Sequence, residues 1–383
     1  MNQLSLPLPR ARYGLDTWLS LAAAILLVWG LVMVASASVA QAEKLTGQPF
    51  YFFWRQLLFI ALGLGAGFAM YCVPMKQWET SGPWLVAFAI FLLILVLIPG
   101  IGVKVNSARR WIDLGLFRLQ ASEPARLALI LFLAGYITRR QIELQNGFKG
   151  LMMPLLLLLI PCGLLLLEPD FGATVILMAV AMLMLFLGGA RVIYFGAMAG
   201  VVVAVGALIA VAEPYRVRRL LNFLNPWADV ENAGWQLAQS LIAVGRGEWA
   251  GVGLGNSVQK LLYLPEMHTD FIFAILAEEF GLLGVCLLLG LFTLLVWRGF
   301  VIGREAETGG RLFQAHLCYG LSGWIGLQAL INMAVNMGLL PTKGLTLPLL
   351  SYGGSSLIMV CAILGLILRV DYENRANRLG ESP

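Results

Sequence analysis

The sequence predicts an all-α polytopic integral membrane protein with ten transmembrane helices and a large extracytoplasmic loop between the seventh and eighth. Three observations carry that prediction. Hydrophobic residues make up 60% of the 383 and charged residues only 12%, against roughly 25% charged in a soluble domain. Apolar runs approaching the roughly 20 residues needed to cross a bilayer recur along the whole chain. Charges, prolines and polar clusters bound each run.

The first span covers 15–37, after a polar start, MNQLSLPLPRARYGLD, that carries Arg10 and Arg12. No cleavage pattern follows it, so it reads as a retained span rather than a removed signal peptide. Spans at 55–72, 83–99 and 122–138 come next. The runs 151–167 and 171–189 are joined only by Glu168, Pro169 and Asp170; a proline and two charges break what would otherwise be one long helix. Runs at 192–212, 270–297, 312–336 and 353–370 complete the ten, giving one membrane domain over 15–370 with short tails at 1–14 and 371–383.

An even number of spans puts both termini on one side. Short basic loops (Arg139, Arg140 and Lys149; Arg298, Arg304 and Arg311) lie there too, which makes that side cytoplasmic. Yet the 26 Lys and Arg residues divide 13 to 13 between the faces. Ten of the outer cations fall in two segments: Lys104, Arg109, Arg110, Arg118 and Arg126, then Arg216, Arg218, Arg219, Arg246 and Lys260. Either the orientation is reversed and these are ordinary cytoplasmic charges, or they serve another purpose, such as holding a phosphate-bearing ligand.

The loop from Glu213 to Thr269 is rich in Trp, Asn and Gly and too long for a mere connector. Its AGWQLAQSLIAVG stretch has helical apolar spacing and predicts an amphipathic helix lying on the membrane surface. Several functions are excluded or unsupported. The net charge of +5 is explained by loop cations that set topology, and no nucleic-acid module is present. The five cysteines sit in apolar runs without paired spacing, so neither a disulfide nor a zinc site is indicated. GVGLG at 251–255 has no strand before it and is not a dinucleotide fingerprint, and His268 and His316 are too isolated to nominate a metal site.

Three stretches hold the polar residues that could carry chemistry. In YLPEMHTDFIFAILAEEFG, Glu266, His268 and Asp270 crowd the mouth of the eighth span, and Glu278 and Glu279 lie two turns inside it. Asp270 or Thr269 could simply cap that helix, a contribution of about 1 kcal/mol. A carboxylate inside a span costs roughly 2.5–3.5 kcal/mol, however, and ordinarily faces protein or a wet cavity. Asp270 and Glu278 lie about 12 Å apart along a helix, beyond the roughly 5–9.5 Å of a glycosidase pair, so a single base is the better reading. In NSARRWIDLGLFRLQASEPAR, Arg109 and Arg110 beside Trp111 suit phosphate or sugar, and Glu123 with Arg126 can form a structural ion pair. In LLPTKGLTLPLLSYGGSS, Pro341, Pro348 and the glycines forbid a regular helix, so the segment re-enters the protein; it brings Ser351 and a lone Lys343 that either snorkels or binds an anion.

The motifs VMVASAS (32–38), ARRWIDLG (108–115), EPDFGA (168–173), NPWAD (225–229), GVGLGNSVQKLLYLPEMHTDFIFAILAEE (251–279) and PTKGLTLPLLSYGGSS (341–356) together resemble the SEDS family (shape, elongation, division and sporulation), in its division branch. The resemblance spans nearly the whole chain. It implies a SEDS-type ten-span fold with cytoplasmic termini, in the bacterial inner membrane at the septum. It implies a glycosyltransferase that polymerises lipid II on the outer face, paired with a class B penicillin-binding protein, the septal transpeptidase, among other divisome membrane proteins. It also makes Asp270 the essential residue, with Arg109, Arg110, Arg216, Lys343, Glu266, His268 and Ser351 as candidate substrate contacts. No cofactor follows, although a divalent cation is compatible. Where the family reads QPSE followed by a lysine, this chain has Ala121 and Arg126, which changes the geometry around Glu123. A lipid II transporter, or a non-catalytic scaffold that activates the transpeptidase, would also suit many spans, buried carboxylates and a cationic outer loop.

Overall fold

The computed structural model describes residues 14–105, 108–115, 117–212, 217, 223–228, 234–261 and 263–379. Helices occupy each of the ten apolar runs: α1 (Thr17–Thr46), α2 (Tyr51–Cys72), α4 (Gly82–Leu97), α5 (Ser122–Arg139), α7 (Phe148–Leu167), α8 (Phe171–Leu187), α9 (Val192–Ala212), α11 (Ile272–Thr308), α12 (Leu312–Asn336) and α13 (Gly354–Arg378). Short helices α3 (Met75–Thr80) and α6 (Gln141–Asn146) and the loop helix α10 (Trp235–Arg246) complete the described set. Six of the helices (α1, α2, α7, α9, α11 and α13) are long and apolar enough to cross a membrane; α4 and α8 are apolar but shorter.

The chain is mostly helical rather than all-α. The segment after α4 folds into an antiparallel sheet of β1 (Gly102–Val105), β2 (Ala108–Asp113) and β3 (Arg118–Gln120), in the order β1-β2-β3. Its ARRWID strand buries Ala108 and Ile112, with Arg109, Arg110 and Trp111 half-buried between them and the pairing with β1 shifted in register at Arg110.

Helix pairing follows small residues. Gly63 and Gly67 on α2 meet Cys361 and Gly365 on α13 so closely that a methyl on Gly365 would lie 2.1 Å from the Gly67 carbonyl oxygen. In lipid, where apolar surface gains little by leaving its surroundings, such close backbone approach supplies the packing that holds helices together. α11 packs on α12 and α1, and α12 on α5 and α8, so α11 and α12 form the centre. At the end where the chain begins and finishes, Asp16 caps α1 through the Leu19 N–H (2.8 Å) and pairs with Arg298, while Arg375 pairs with Asp371 at 2.9 Å and Arg378 with Glu305 at 2.7 Å.

The opposite end carries the site. There α10 packs with Leu237, Ala238 and Ala243 turned into the protein, against α11 and α12, and the Ser240 hydroxyl donates to the Asn336 carbonyl (2.8 Å). Of the apolar face expected to lie on the membrane surface, Leu237 and Ala238 pack into the protein while Ile242 stays exposed.

Candidate active site

Three segments without regular helix converge where α8 and α11 begin and α12 ends. The re-entrant stretch between α12 and α13 is pinned along its length. Gln328 donates to the Thr346 carbonyl (3.0 Å), Thr346 bonds Ser356 (2.9 Å), the Leu347 N–H donates to the Ser351 hydroxyl (2.8 Å), and Gln56 donates to the Ser351 carbonyl (3.3 Å). Ser351 is thus buried and serves the loop's own turn. The turn between α7 and α8 is pinned by strand residues. Arg110 donates to the carbonyls of Glu168 (3.2 Å) and Pro169 (2.5 Å), and Asp170 caps α8 at the Ala173 N–H (3.1 Å) while accepting from Gln120 (3.2 Å).

Asp270 lies in the third segment, just before α11. Main-chain N–H groups of Thr269 and Phe271 both donate to the Glu266 carbonyl (3.2 Å each), so the stretch is a tight turn and not a helical start. The cap position of α11 falls to Phe271, which makes no side-chain capping bond. Thr269 is engaged with Glu266 (2.8 Å between side chains). The sequence sets capping beside catalysis for Asp270; in the structure Asp270 stands one residue before the cap position, Phe271.

The Asp270 side chain is half-buried. Its carboxylate abuts Gly344: a methyl on that glycine would sit 3.0 Å from Oδ2. The neighbouring Lys343 places its ammonium 3.9 Å from the centroid of the Phe171 ring, at the start of α8, a cation–π contact that holds the charge near the site. Gly172 approaches Leu345 of the same stretch, where an added methyl would be 3.4 Å from its side chain. Asp270, the Lys343–Leu345 stretch and the α8 N-terminus therefore form one cluster.

The other predicted contacts are dispersed around it. Arg109 is half-buried and sits opposite Lys104 in the sheet, while Arg110 is occupied by the two carbonyls of the α7–α8 turn. Glu266 is exposed beside Thr269. His268 is buried, its ring against Phe52 (4.5 Å between centroids) and Tyr352 (5.5 Å), with Nδ1 unpartnered. Burial lowers its pKa to about 4, so the ring is neutral near pH 7 and contributes no cation to a phosphate. Arg216 lies outside the described residues, as do Arg218 and Arg219. Glu123 and Arg126 lie 3.6 Å apart, both buried, with Arg126 stacked 4.7 Å from the Trp324 ring and donating to Gln328 (3.3 Å).

Glu278 and Glu279 serve the loop. The fully buried Glu278 carboxylate takes Arg246 (2.8 Å), the Ser257 hydroxyl and the N–H groups of Val258 (3.1 Å) and Gln259 (3.4 Å); Glu279 takes Lys260 (3.1 Å) and Ser36 of α1 (2.7 Å). A break in α11 at Gly281 (φ 64°, ψ −163°) frees the Glu278 and Glu279 carbonyls for Val252 and Gly253 (3.0 Å each). Three of the ten cations assigned to the outer face, Arg126, Arg246 and Lys260, thus stand against buried carboxylates.

Sequence reasoning passed over Glu168, Asn332 and Asn336. Glu168 is fully buried with neither carboxylate oxygen partnered, and burial raises it to about 8, Asp170 pushing the same way. Asn332 and Asn336 each donate to the Asp270 carbonyl (2.9 and 3.1 Å). A signal for the amides was present: Gln328, Asn332 and Asn336 repeat every four residues in an otherwise apolar run, and a polar stripe on a membrane helix faces protein. Among the described residues, no group of three His, Cys, Asp or Glu side chains is placed to hold a metal ion.

A profile of the cell cycle protein family comprising FtsW, RodA and SpoVE matches residues 17–376. The chain is 55% identical over 364 residues to a probable peptidoglycan glycosyltransferase FtsW of Thioalkalivibrio sulfidiphilus, covering 95% of this chain and 91% of that one. It is 49% identical over 383 residues to the protein so named from Legionella pneumophila, covering 100% and 97%. Among solved structures it is similar, with TM-score 0.77 and 30% identity over 94% of this chain and 98% of the other, to a chain from work on coordination of polymerization and crosslinking by a peptidoglycan synthase complex. The rod shape determining protein RodA of Thermus thermophilus is similar with TM-score 0.71 and 28% identity, over 95% and 98%.

Proposed function

This chain belongs to the SEDS family of cell cycle proteins, and from that premise we propose that Asp270 is the general base of its glycosyl transfer. The chain is a multi-pass membrane peptidoglycan glycosyltransferase. The observation that carries the assignment to Asp270 is its half-buried carboxylate against Gly344, next to Lys343 and the start of α8.

In this reading the acceptor is the GlcNAc 4-hydroxyl of one lipid II. Asp270 takes its proton, the freed oxygen bonds C1 of the donor's MurNAc, and the C1–O bond to undecaprenyl pyrophosphate breaks with inversion, leaving a β-1,4 linkage. The departing pyrophosphate keeps the bonding electrons. Cations stabilise its growing charge without a second carboxylic acid, the task assigned to Lys343, beside Asp270, and to Arg109; Arg216, the third candidate, lies outside the described residues, and Arg110 shapes the α7–α8 turn.

The ten helices α1, α2, α4, α5, α7, α8, α9, α11, α12 and α13 are read as ten spans, with both termini cytoplasmic and the stretch 213–269 outside. The separation of Asp16, Arg375 and Arg378 at one end from Asp270 and Lys343 at the other supports that orientation, because lipid II is polymerised outside. The site of action is the inner membrane at the septum. A class B penicillin-binding protein, within a set of divisome membrane proteins, is the partner; the likeness to a chain of a peptidoglycan synthase complex supports this.

The test is polymerisation of purified lipid II by the complex with its transpeptidase site blocked. Asp270→Asn is expected to abolish polymer while the protein stays folded and partner-bound. Normal strand synthesis by that variant would end the assignment; polymer from wild type separates the enzyme from a transporter or scaffold.

A further inference from the structure

The end of α12 grips the residue that carries the chemistry. Asn332 and Asn336 are four residues apart, so their side chains lie on one helix face. They are 1% and 0% exposed. Nδ2 of Asn332 donates to the Asp270 carbonyl (2.9 Å) and to the Leu345 carbonyl (2.5 Å), and Nδ2 of Asn336 donates to the Asp270 carbonyl (3.1 Å) and to the Asn332 carbonyl (2.9 Å). The Asp270 carbonyl thereby accepts from two side-chain donors. Because each NH2 faces two carbonyls, rotating either amide would set oxygen against oxygen, which fixes both orientations.

Asp270 has little else of regular structure to position it. It precedes the first turn of α11, and the turn before it is held by the Glu266 carbonyl, which accepts from the Thr269 and Phe271 N–H groups, and by the Tyr352 N–H, which donates to the His268 carbonyl (2.9 Å). Leu345, the other carbonyl that Asn332 holds, belongs to the stretch that brings Lys343 and Gly344 to the carboxylate. One side chain therefore ties the base to the segment opposite it. Burying two primary amides in a membrane helix is costly; here their donors are used on these carbonyls, while both Oδ1 atoms are buried without a partner.

We propose that Asn332 and Asn336 are positioning residues for the glycosyl transfer: they hold the main chain of Asp270, and Asn332 sets its spacing from the Lys343–Leu345 stretch. The inference rests on Asp270 acting as the base. Misplacing a reacting group by about 1 Å costs on the order of 100-fold in rate. In lipid II polymerisation by the complex, Asn332→Ala and Asn336→Ala are expected to lower kcat about 10- to 100-fold with KM within about twofold of wild type.

Asn332→Asp supplies an isosteric second arm. Protonated, its carboxyl donates to one of the two carbonyls; ionised, it opposes both. Its rate relative to wild type, taken at each pH, should fall at least about tenfold as that carboxyl ionises, with size-exclusion profile and melting temperature confirming fold at both ends of the range. A kcat within twofold of wild type in the alanine variants, a KM rise with kcat unchanged, or a pH-independent Asn332→Asp ratio would each overturn the proposal. If the alanine variants do not fold, the ratio decides. Asp270→Asn is run beside them. Full activity there refutes the base itself, whereas loss there with active asparagine variants refutes only the positioning.

Discussion

Replacing Gly281 by alanine should detach the loop that packs on the N-terminal part of α11. Gly281 has φ 64° and ψ −163°, a combination essentially confined to glycine, and a side chain there costs about 1–3 kcal/mol in backbone strain. The added methyl would also lie 2.4 Å from the Gly251 nitrogen, 2.6 Å from the Gly247 oxygen and 2.7 Å from the Trp249 carbonyl carbon. These are backbone atoms and cannot rotate away. The loop must move, and with it four bonds that join it to α11: Val252 to Glu278 (3.0 Å), Gly253 to Glu279 (3.0 Å), Leu282 to Glu248 (2.9 Å) and Leu283 to Trp249 (3.1 Å). At about 1 kcal/mol each, bonds and strain together come to about 5–7 kcal/mol. Even about 4 kcal/mol of that, felt locally, speeds amide exchange roughly a thousandfold. Hydrogen exchange in lipid nanodiscs should show the loss at Val252, Gly253, Leu282 and Leu283, with α2 and α13 protected as before. Protection at those four amides within tenfold of wild type would refute the interlock.

Other outcomes follow from the same geometry. Gly344→Ala puts a methyl 3.0 Å from the Asp270 carboxylate; because Gly344 is exposed, melting should change little while lipid II polymerisation falls about tenfold or more, and unchanged turnover would separate that contact from catalysis. His268 is held near 4 in the folded protein against an ordinary 6.5, so below 6.5 the unfolded chain takes up the proton first; stability present above 6.5 is lost as pH falls toward 4, by on the order of 3 kcal/mol. Melting in detergent at pH 7.5 and 5 measures this, and His268→Phe should flatten that part of the difference. Glu168 titrates the opposite way: with its folded value near 8 against 4.5, stability is full below 4.5 and declines as pH rises through 8. Glu168→Gln mimics the protonated form and should therefore melt higher than wild type at pH 8.5, whereas a lower melting temperature there would mean that the anion is the native form.

Much of the membrane architecture could be read directly. A helix occupies every apolar run bounded by charges or prolines, because in hydrocarbon each backbone amide must be satisfied within its own segment, and a helix is the local way to do so. The break at Glu168–Asp170 and the irregular stretch after α12 were legible for the complementary reason: proline withdraws a donor. The sheet after α4 was not, since its pairing joins strands whose partners lie several residues apart and whose alternation is short.

The site divides along the same line. Sequence by itself marked Asp270, Lys343, Glu278 and Glu279, because a charge in an apolar neighbourhood is costly wherever it occurs and must have a reason. Only the tertiary structure sorted those reasons. It gave Glu278 and Glu279 to Arg246, Ser257, Lys260 and Ser36, turned His268 into the core, and set Asp270 against Gly344 under the amides of Asn332 and Asn336. The cost of burying a polar group is a property of the residue and is written in the chain; the partner that offsets it lies from 19 to 243 residues away and is decided by how the chain packs.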